Sequence, residues 1–80
     1  MNIYLLTQDQ NSGYDTYDSC VVISASEELA RCINPSYSEW GKPWSSWANS
    51  PKDVSVTYIG TTDESSLNEG DIICSSFNAG

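Results

Sequence analysis

The chain has 80 residues, with eleven Asp and Glu against three Lys and Arg, a formal net charge of −8 and no His. That balance excludes direct nucleic-acid binding, which needs clustered cations to neutralise phosphate, and it disfavours an anionic membrane surface. The missing His removes the commonest general base and metal ligand, and so short a chain is expected to form one domain, residues 1–80, with a small core.

In chain order, the opening MNIYLLTQDQ has four apolar residues in a row and no basic flank. It reads as neither a signal peptide nor a membrane span, so a cytoplasmic location is expected. Residues 2–8, NIYLLTQ, form a predicted strand. Ile3 and Leu5 face one side and Tyr4 and Leu6 the other, as in a strand covered on both faces. The stretch NSGYDTYDSC at 11–20 follows, an acidic and aromatic loop without a basic residue. Residues 19–24, SCVVIS, read as a second central strand.

The period then changes in SASEELARCINP. Ser24 with Glu27 fits a capping box, and Ala25, Leu29, Cys32 and Ile33 fall on one helical stripe. Glu27 and Glu28 lie at the positive end of the helix dipole, with Arg31 near the negative end. Asn34-Pro35 ends the helix. Residues 36–52 are irregular and hold all three Trp. Pro43 suits the start of a single helical turn, which would put Trp44 and Trp47 on one face. VSVTYIG at 54–60 alternates as a strand, TTDESSLNEG is a polar loop, and DIICSSF at 71–77 reads as the last strand. The order is ββαββ. It predicts an α+β fold in which two antiparallel hairpins make a four-stranded, mainly antiparallel sheet with one helix packed on one face.

Cys20, Cys32 and Cys74 are odd in number and lack CxxC spacing, which argues against a disulfide framework or a zinc site. Buried free thiols in a reducing compartment are expected instead. The chain has no GxSxG, no Gly-rich phosphate loop and no Cys–His pair, and its Ser residues have no base to activate them. The expectation is therefore a protein that is not an enzyme and takes no cofactor.

Two sets of side chains remain. Asp9, Asp15 and Asp18 lie in or beside the first loop; Asp63, Glu64, Glu69 and Asp71 crowd the last. Paired carboxylates hold Ca²⁺ or Mg²⁺ where a loop wraps the ion, but no twelve-residue calcium loop is present and no metal is expected. Spaced anions on a rigid sheet also imitate the phosphates of a nucleic-acid backbone. Asp15 and Asp18, three apart in an extended chain, would stand about 10 Å apart at roughly 3.3 Å per residue. The plainer account is that these Asp residues favour turns and keep the chain in solution. The aromatic set is Tyr14, Tyr17, Tyr37, Trp40, Trp44 and Trp47. Such rings anchor interfaces, and Trp beside acid suits an Arg partner. In so small a domain they also roof the sheet. Trp44 or Trp47 is expected to do so, while Trp40, beside Gly41, is expected to be exposed. The candidate partner-binding residues are Tyr14, Asp15, Tyr17, Asp18, Trp40, Asp63, Glu64 and Glu69.

YLLTQ at 4–8, GYDTYDS at 13–19 and SFNAG at 76–80 together resemble a family of small acidic proteins encoded by phages and prophages, anti-CRISPR-like in size and charge. The resemblance carries no site chemistry. It implies a phage context, in which small acidic proteins include anti-CRISPR and other anti-defence inhibitors that present DNA-like charge. The expected function is a non-enzymatic inhibitor that binds a basic, nucleic-acid-binding surface of a host defence complex, such as a CRISPR effector, as a nucleic-acid mimic. The alternative is a small scaffold or assembly protein dimerising through the Trp-rich segment; the chain is expected to be a monomer or homodimer. A nucleotide-binding role is disfavoured, because Glu27 and Glu28 occupy the helix start that a phosphate would need.

Overall fold

The computed structural model describes residues 1–11, 13–37, 40 and 46–78. Strands that are apolar on both faces belong in the middle of a sheet, and the two such segments are found there. The elements are β1 (Asn2–Thr7), β2 (Thr16–Ser24), α1 (Glu27–Arg31), a 3-10 turn (Pro51–Asp53), β3 (Ser55–Thr61) and β4 (Ile72–Asn78). They form one antiparallel sheet in the order β3-β1-β2-β4, which is the α+β, ββαββ architecture expected.

One detail of that expectation is corrected: β3 and β4 do not form a second hairpin. They lie on opposite edges, β3 against β1 and β4 against β2. β1 and β2 both need covering edge strands, and the segment 62–71 is long enough to cross the end of the sheet between them. Each edge strand also carries one extra residue. Ile3 pairs with Gly60 while Tyr4 pairs with Tyr58, leaving Ile59 as a bulge. Val21 pairs with Cys74 while Val22 pairs with Ile72, leaving Ile73. β-Bulges sharpen local twist and interrupt edge pairing.

The core lies on one face of the sheet. Tyr4 and Leu6 stand opposite Val22 and Cys20, and Ala30, Val54, Trp47 and Ala48 close over them. Trp47 is fully buried, so this Trp does roof the sheet; Trp44 and the turn expected at Pro43 lie outside the described residues. The other face carries Ile3, Leu5 and Val21, all half-buried. The Trp47 segment is pinned through its backbone. Tyr17 donates its N–H to the Ser46 carbonyl at 2.8 Å, and the Asn11 side-chain amide donates to the Trp47 carbonyl.

The helix is shorter than expected, and its cap is Ser26 rather than Ser24. Ser26 is extended (φ −153) and its hydroxyl accepts the Leu29 N–H. Ser24 is the last residue of β2, fully buried, and its hydroxyl donates to the Ser26 carbonyl at 3.0 Å. Helical geometry ends at Arg31, so Cys32 and Ile33 fall out of phase with the expected stripe. The residue pressed on the sheet is Ala30; Leu29 and Cys32 are exposed, and Ile33 packs against the core edge. A small residue at the contact lets this single turn approach the sheet closely. Arg31 ties the helix to the start of β3, its guanidinium donating to the Val54 carbonyl.

The thiols are corrected likewise: Cys20 is buried, but Cys32 and Cys74 are exposed. Cys74 sits on an edge strand and Cys32 past the helix, where nothing covers them. Burial, with a smaller contribution from nearby Cys74, pushes the Cys20 thiol from 9.0 up to about 12.

Two measurements follow from this packing. Trp47→Ala is expected to cost about 3–5 kcal/mol in denaturant titration, a large share of the roughly 5–15 kcal/mol a domain has; truncating exposed Leu29 should stay within about 0.5 kcal/mol. A thiol reagent at neutral pH should modify Cys32 and Cys74 quickly and Cys20 only on unfolding. The raised Cys20 value also sets a sign. Below pH 9 the thiol is protonated folded or unfolded, and stability is undiminished. Between 9 and 12 only the unfolded thiol ionises, so the unfolding midpoint should fall through that window, less steeply in Cys20→Ala.

Candidate functional site

The first group of predicted residues lies at the β1–β2 turn, which Gln8 organises. Its side-chain N–H groups donate to the Asn11 carbonyl at 2.7 Å and the Tyr17 carbonyl at 2.8 Å, and its oxygen accepts the N–H groups of Gln10 and Asn11. Asn49 joins through a side-chain bond to Gln10 at 2.9 Å. Two residues beyond this frame take left-handed conformations, Gly13 (φ +118) and Asp15 (φ +58). Asp is among the few residues that tolerate that region. The Thr16 hydroxyl closes the turn on the Gly13 carbonyl at 2.9 Å. Tyr14 is thereby turned outward and is 80% exposed, with Asp15 exposed beside it.

The regular extended chain assumed for Asp15 and Asp18 is interrupted at both residues. Asp15 precedes the strand in a left-handed turn, and Asp18 is the extra residue of a β-bulge between Tyr17 and Ser19. Asp18 is exposed but anchored, accepting from the Asn78 side chain at 2.9 Å. Tyr17 is half-buried: it packs on the core and tilts against Phe77, ring centres 4.7 Å apart. It buttresses the site rather than forming it. Trp40, expected to be exposed, is half-buried and also packs on the core. A chain with so few large apolar residues uses these rings for its own interior. Of the three Trp in the segment considered above for dimerisation, Trp47 is fully buried, Trp40 is half-buried and Trp44 lies outside the described residues.

The second group lies in the segment 62–71 at the other end of the sheet, because that segment joins the end of β3 to the start of β4. Here the carboxylates are held by backbone N–H groups. Glu64 accepts from Ser66 at 3.1 Å, Asp71 from Asn68 at 2.8 Å, and Glu69 reaches across to Ala25 at 2.7 Å. Gly70, at φ +90, lets the chain turn so that its N–H donates to the Ile23 carbonyl while Ile23 donates to the Asp71 carbonyl. Each named bond occupies one carboxylate oxygen and leaves the other lone pairs available. Asp63 is exposed beside them. Glu27 and Glu28, at the start of α1, follow directly on the end of β2 and belong to this end too. Their helix-dipole role masked this in the sequence. Arg31 offsets Glu27 only loosely, at 3.8 Å.

The eight candidates therefore do not form one patch. Tyr14, Asp15 and Asp18 stand at one end of the sheet and Asp63, Glu64 and Glu69 at the other. Asp18 and Ser24, both on β2, are six residues or roughly 20 Å apart. Among the described residues no three His, Cys, Asp or Glu side chains gather to hold a metal ion. Among them, too, no helix is long and apolar enough to cross a membrane. Comparison with protein-family models, curated proteins and solved structures finds no match.

The Ser66 bonds hold the Glu64 carboxyl below its usual 4.5. A lowered folded value stabilises the protein above the unfolded pKa and is lost as pH falls through the folded one. Glu64→Gln should accordingly flatten the acid side of the stability–pH curve below 4.5, because the small stabilisation it removes is present above that pH and already lost in acid.

Proposed function

We propose that the chain is a non-enzymatic binding protein that presses its acidic ends against a basic, nucleic-acid-binding surface of a host defence complex, in the manner of an anti-CRISPR inhibitor. The observation that supports this most is the placement of carboxylates at both ends of a rigid sheet, in a chain of net charge −8. At the 62–71 end they are fixed in direction by backbone N–H groups, so little side-chain entropy is lost when Arg or Lys engages them. At the turn, Tyr14 supplies exposed aromatic area beside Asp15, a combination suited to Arg. The resemblance to small acidic phage proteins supports the choice of a defence complex, with a CRISPR effector the first to test. Association steered by such charge is fast and weakens with salt.

The test is competition. A purified CRISPR effector should lose DNA binding when the protein is added, and less so as salt rises. Asp63→Lys with Glu64→Lys should weaken the effect by roughly tenfold or more. Asp15→Lys, which leaves the Asp18–Asn78 bond intact, should weaken it less. Inhibition that ignores both reversals would remove the electrostatic mechanism; failure to bind any nucleic-acid-handling defence complex would remove the reading itself.

A further inference from the structure

The ladder between β2 and β4 contains two defects that offset each other. Tyr17 pairs with Phe77, and Val22 pairs with Ile72. Between these two pairs the strands have equal lengths, residues 18–21 on β2 and 73–76 on β4. Equal lengths permit four regular pairs. The chain makes three: Ser19 with Ser76, Cys20 with Ser75 and Val21 with Cys74. Asp18 and Ile73 are left over as the two bulges, and the stretch between them is displaced by one residue.

The displacement has a cause on β2. Regular alternation from Cys20 would put Asp18 on the core face and turn the Tyr17 N–H toward β4. With Asp18 as an extra residue, its carboxylate stays exposed. Tyr17 packs on the core and donates its N–H to the Ser46 carbonyl instead. On β4 the displaced stretch is an edge, exposed throughout. Such a stretch opens locally at far less cost than global unfolding.

A slip of one residue removes both bulges at once. The pairs become Asp18 with Ser76, Ser19 with Ser75, Cys20 with Cys74 and Val21 with Ile73, while the flanking pairs stay. The slip carries Cys74 from one face of the sheet to the other, directly opposite Cys20. Ile23 exchanges hydrogen bonds on the β4 side, so by alternation Val21 and Ser19 do too, and Cys20 occupies a non-hydrogen-bonded position of this ladder. Such pairs have Cα atoms about 4.5 Å apart, inside the disulfide range. The two thiols are already neighbours, since Cys74 contributes to holding Cys20 protonated.

We propose that β4 has two registers and that a Cys20–Cys74 disulfide selects the regular one, which makes this edge a thiol-operated switch. The oxidant is a low-molecular-weight disulfide such as oxidised glutathione. Exposed Cys74 attacks it as the thiolate, forms a mixed disulfide and releases one glutathione thiolate. After the slip, Cys20 gives up its proton and attacks the Cys74 sulfur. The Sγ–Sγ bond forms and the second glutathione leaves. Two protein thiols lose two electrons, the glutathione disulfide gains them, and the two protons end on the glutathione thiols. Cys20 is closed to a reagent in solution but not to a sulfur carried on the adjacent strand. In the oxidised form the Tyr17 N–H turns from Ser46 toward Phe77, so the switch reaches the segment that holds Trp47. The inference rests on the ladder and its thiols and is independent of the proposed binding function.

The test uses Cys32→Ser throughout, in oxidised glutathione without denaturant. Peptide mapping by mass spectrometry should find Cys20 joined to Cys74. Nuclear magnetic resonance should show the cross-strand Hα–Hα contact of Cys20 move from Ser75 in the reduced protein to Cys74 in the oxidised one. Cys74→Ser with Ser75→Cys sets a thiol opposite Cys20 in the resting register. That pair needs no slip and should close roughly tenfold faster or more. Absence of the Cys20–Cys74 bond, or its formation only in denaturant, overturns the proposal. So does a native pair that closes as fast as the shifted one, or a disulfide that leaves the Cys20–Ser75 contact in place.

Discussion

The structure depends on one indole being enclosed by a sheet only four strands wide. Trp47 has no exposed surface, and it sits in an irregular segment with no regular hydrogen-bond ladder of its own. Two sorts of force keep it there. Apolar contact with Leu6, Cys20, Val22 and Val54 in one cluster supplies the driving force. Bonds from Tyr17 and Asn11 to the flanking carbonyls set the position. Asn11 is in turn placed by Gln8, at the end of β1. The core and the turn that displays Tyr14 are therefore one mechanical unit, and a loss of packing under the sheet would be felt at the turn.

Charge is arranged around the same constraint. A small core leaves few places where a carboxylate can go without desolvation, and turns and loop ends are those places. The acids accordingly gather where the chain reverses, at the β1–β2 turn and in 62–71. The long central strands keep those reversals far apart. The sheet thus determines the bipolar arrangement, and the arrangement in turn selects surfaces with matching cations.

The sequence was informative where local chemistry and burial point the same way. β1 and β2 are apolar on both faces, which marks them as central, and the alternation of Val54–Tyr58 marks β3 as covered on one side only. The helix was legible as an element but not in its bounds. Ser24 and Ser26 both offer a capping hydroxyl, and only the burial of Ser24 inside the strand decides between them. Edge order was not legible, because a polar segment such as 62–71 is equally compatible with a hairpin and with a crossing. The site residues divide in the same way. Tyr14 and Asp15 are exposed because Gly13 and Asp15 accept left-handed backbone, a preference that composition hints at. Tyr17 and Trp40 were drawn inward by a core short of apolar volume, a competition that exists only in three dimensions. The Gln8–Asn11–Asn49 network carried no signal, since amide side chains acquire a role only from their neighbours.

The strand order has a kinetic corollary. β1 finds one neighbour at once across the short turn to β2, but its other neighbour is β3, more than half the chain away. Closing so long a loop costs entropy before any pairing rewards it, and non-local antiparallel topologies assemble slowly for that reason. During synthesis the β1–β2 hairpin therefore emerges with one side of its middle strand unclaimed. It must wait, with its apolar residues wet, until the second half of the polypeptide arrives to seal it.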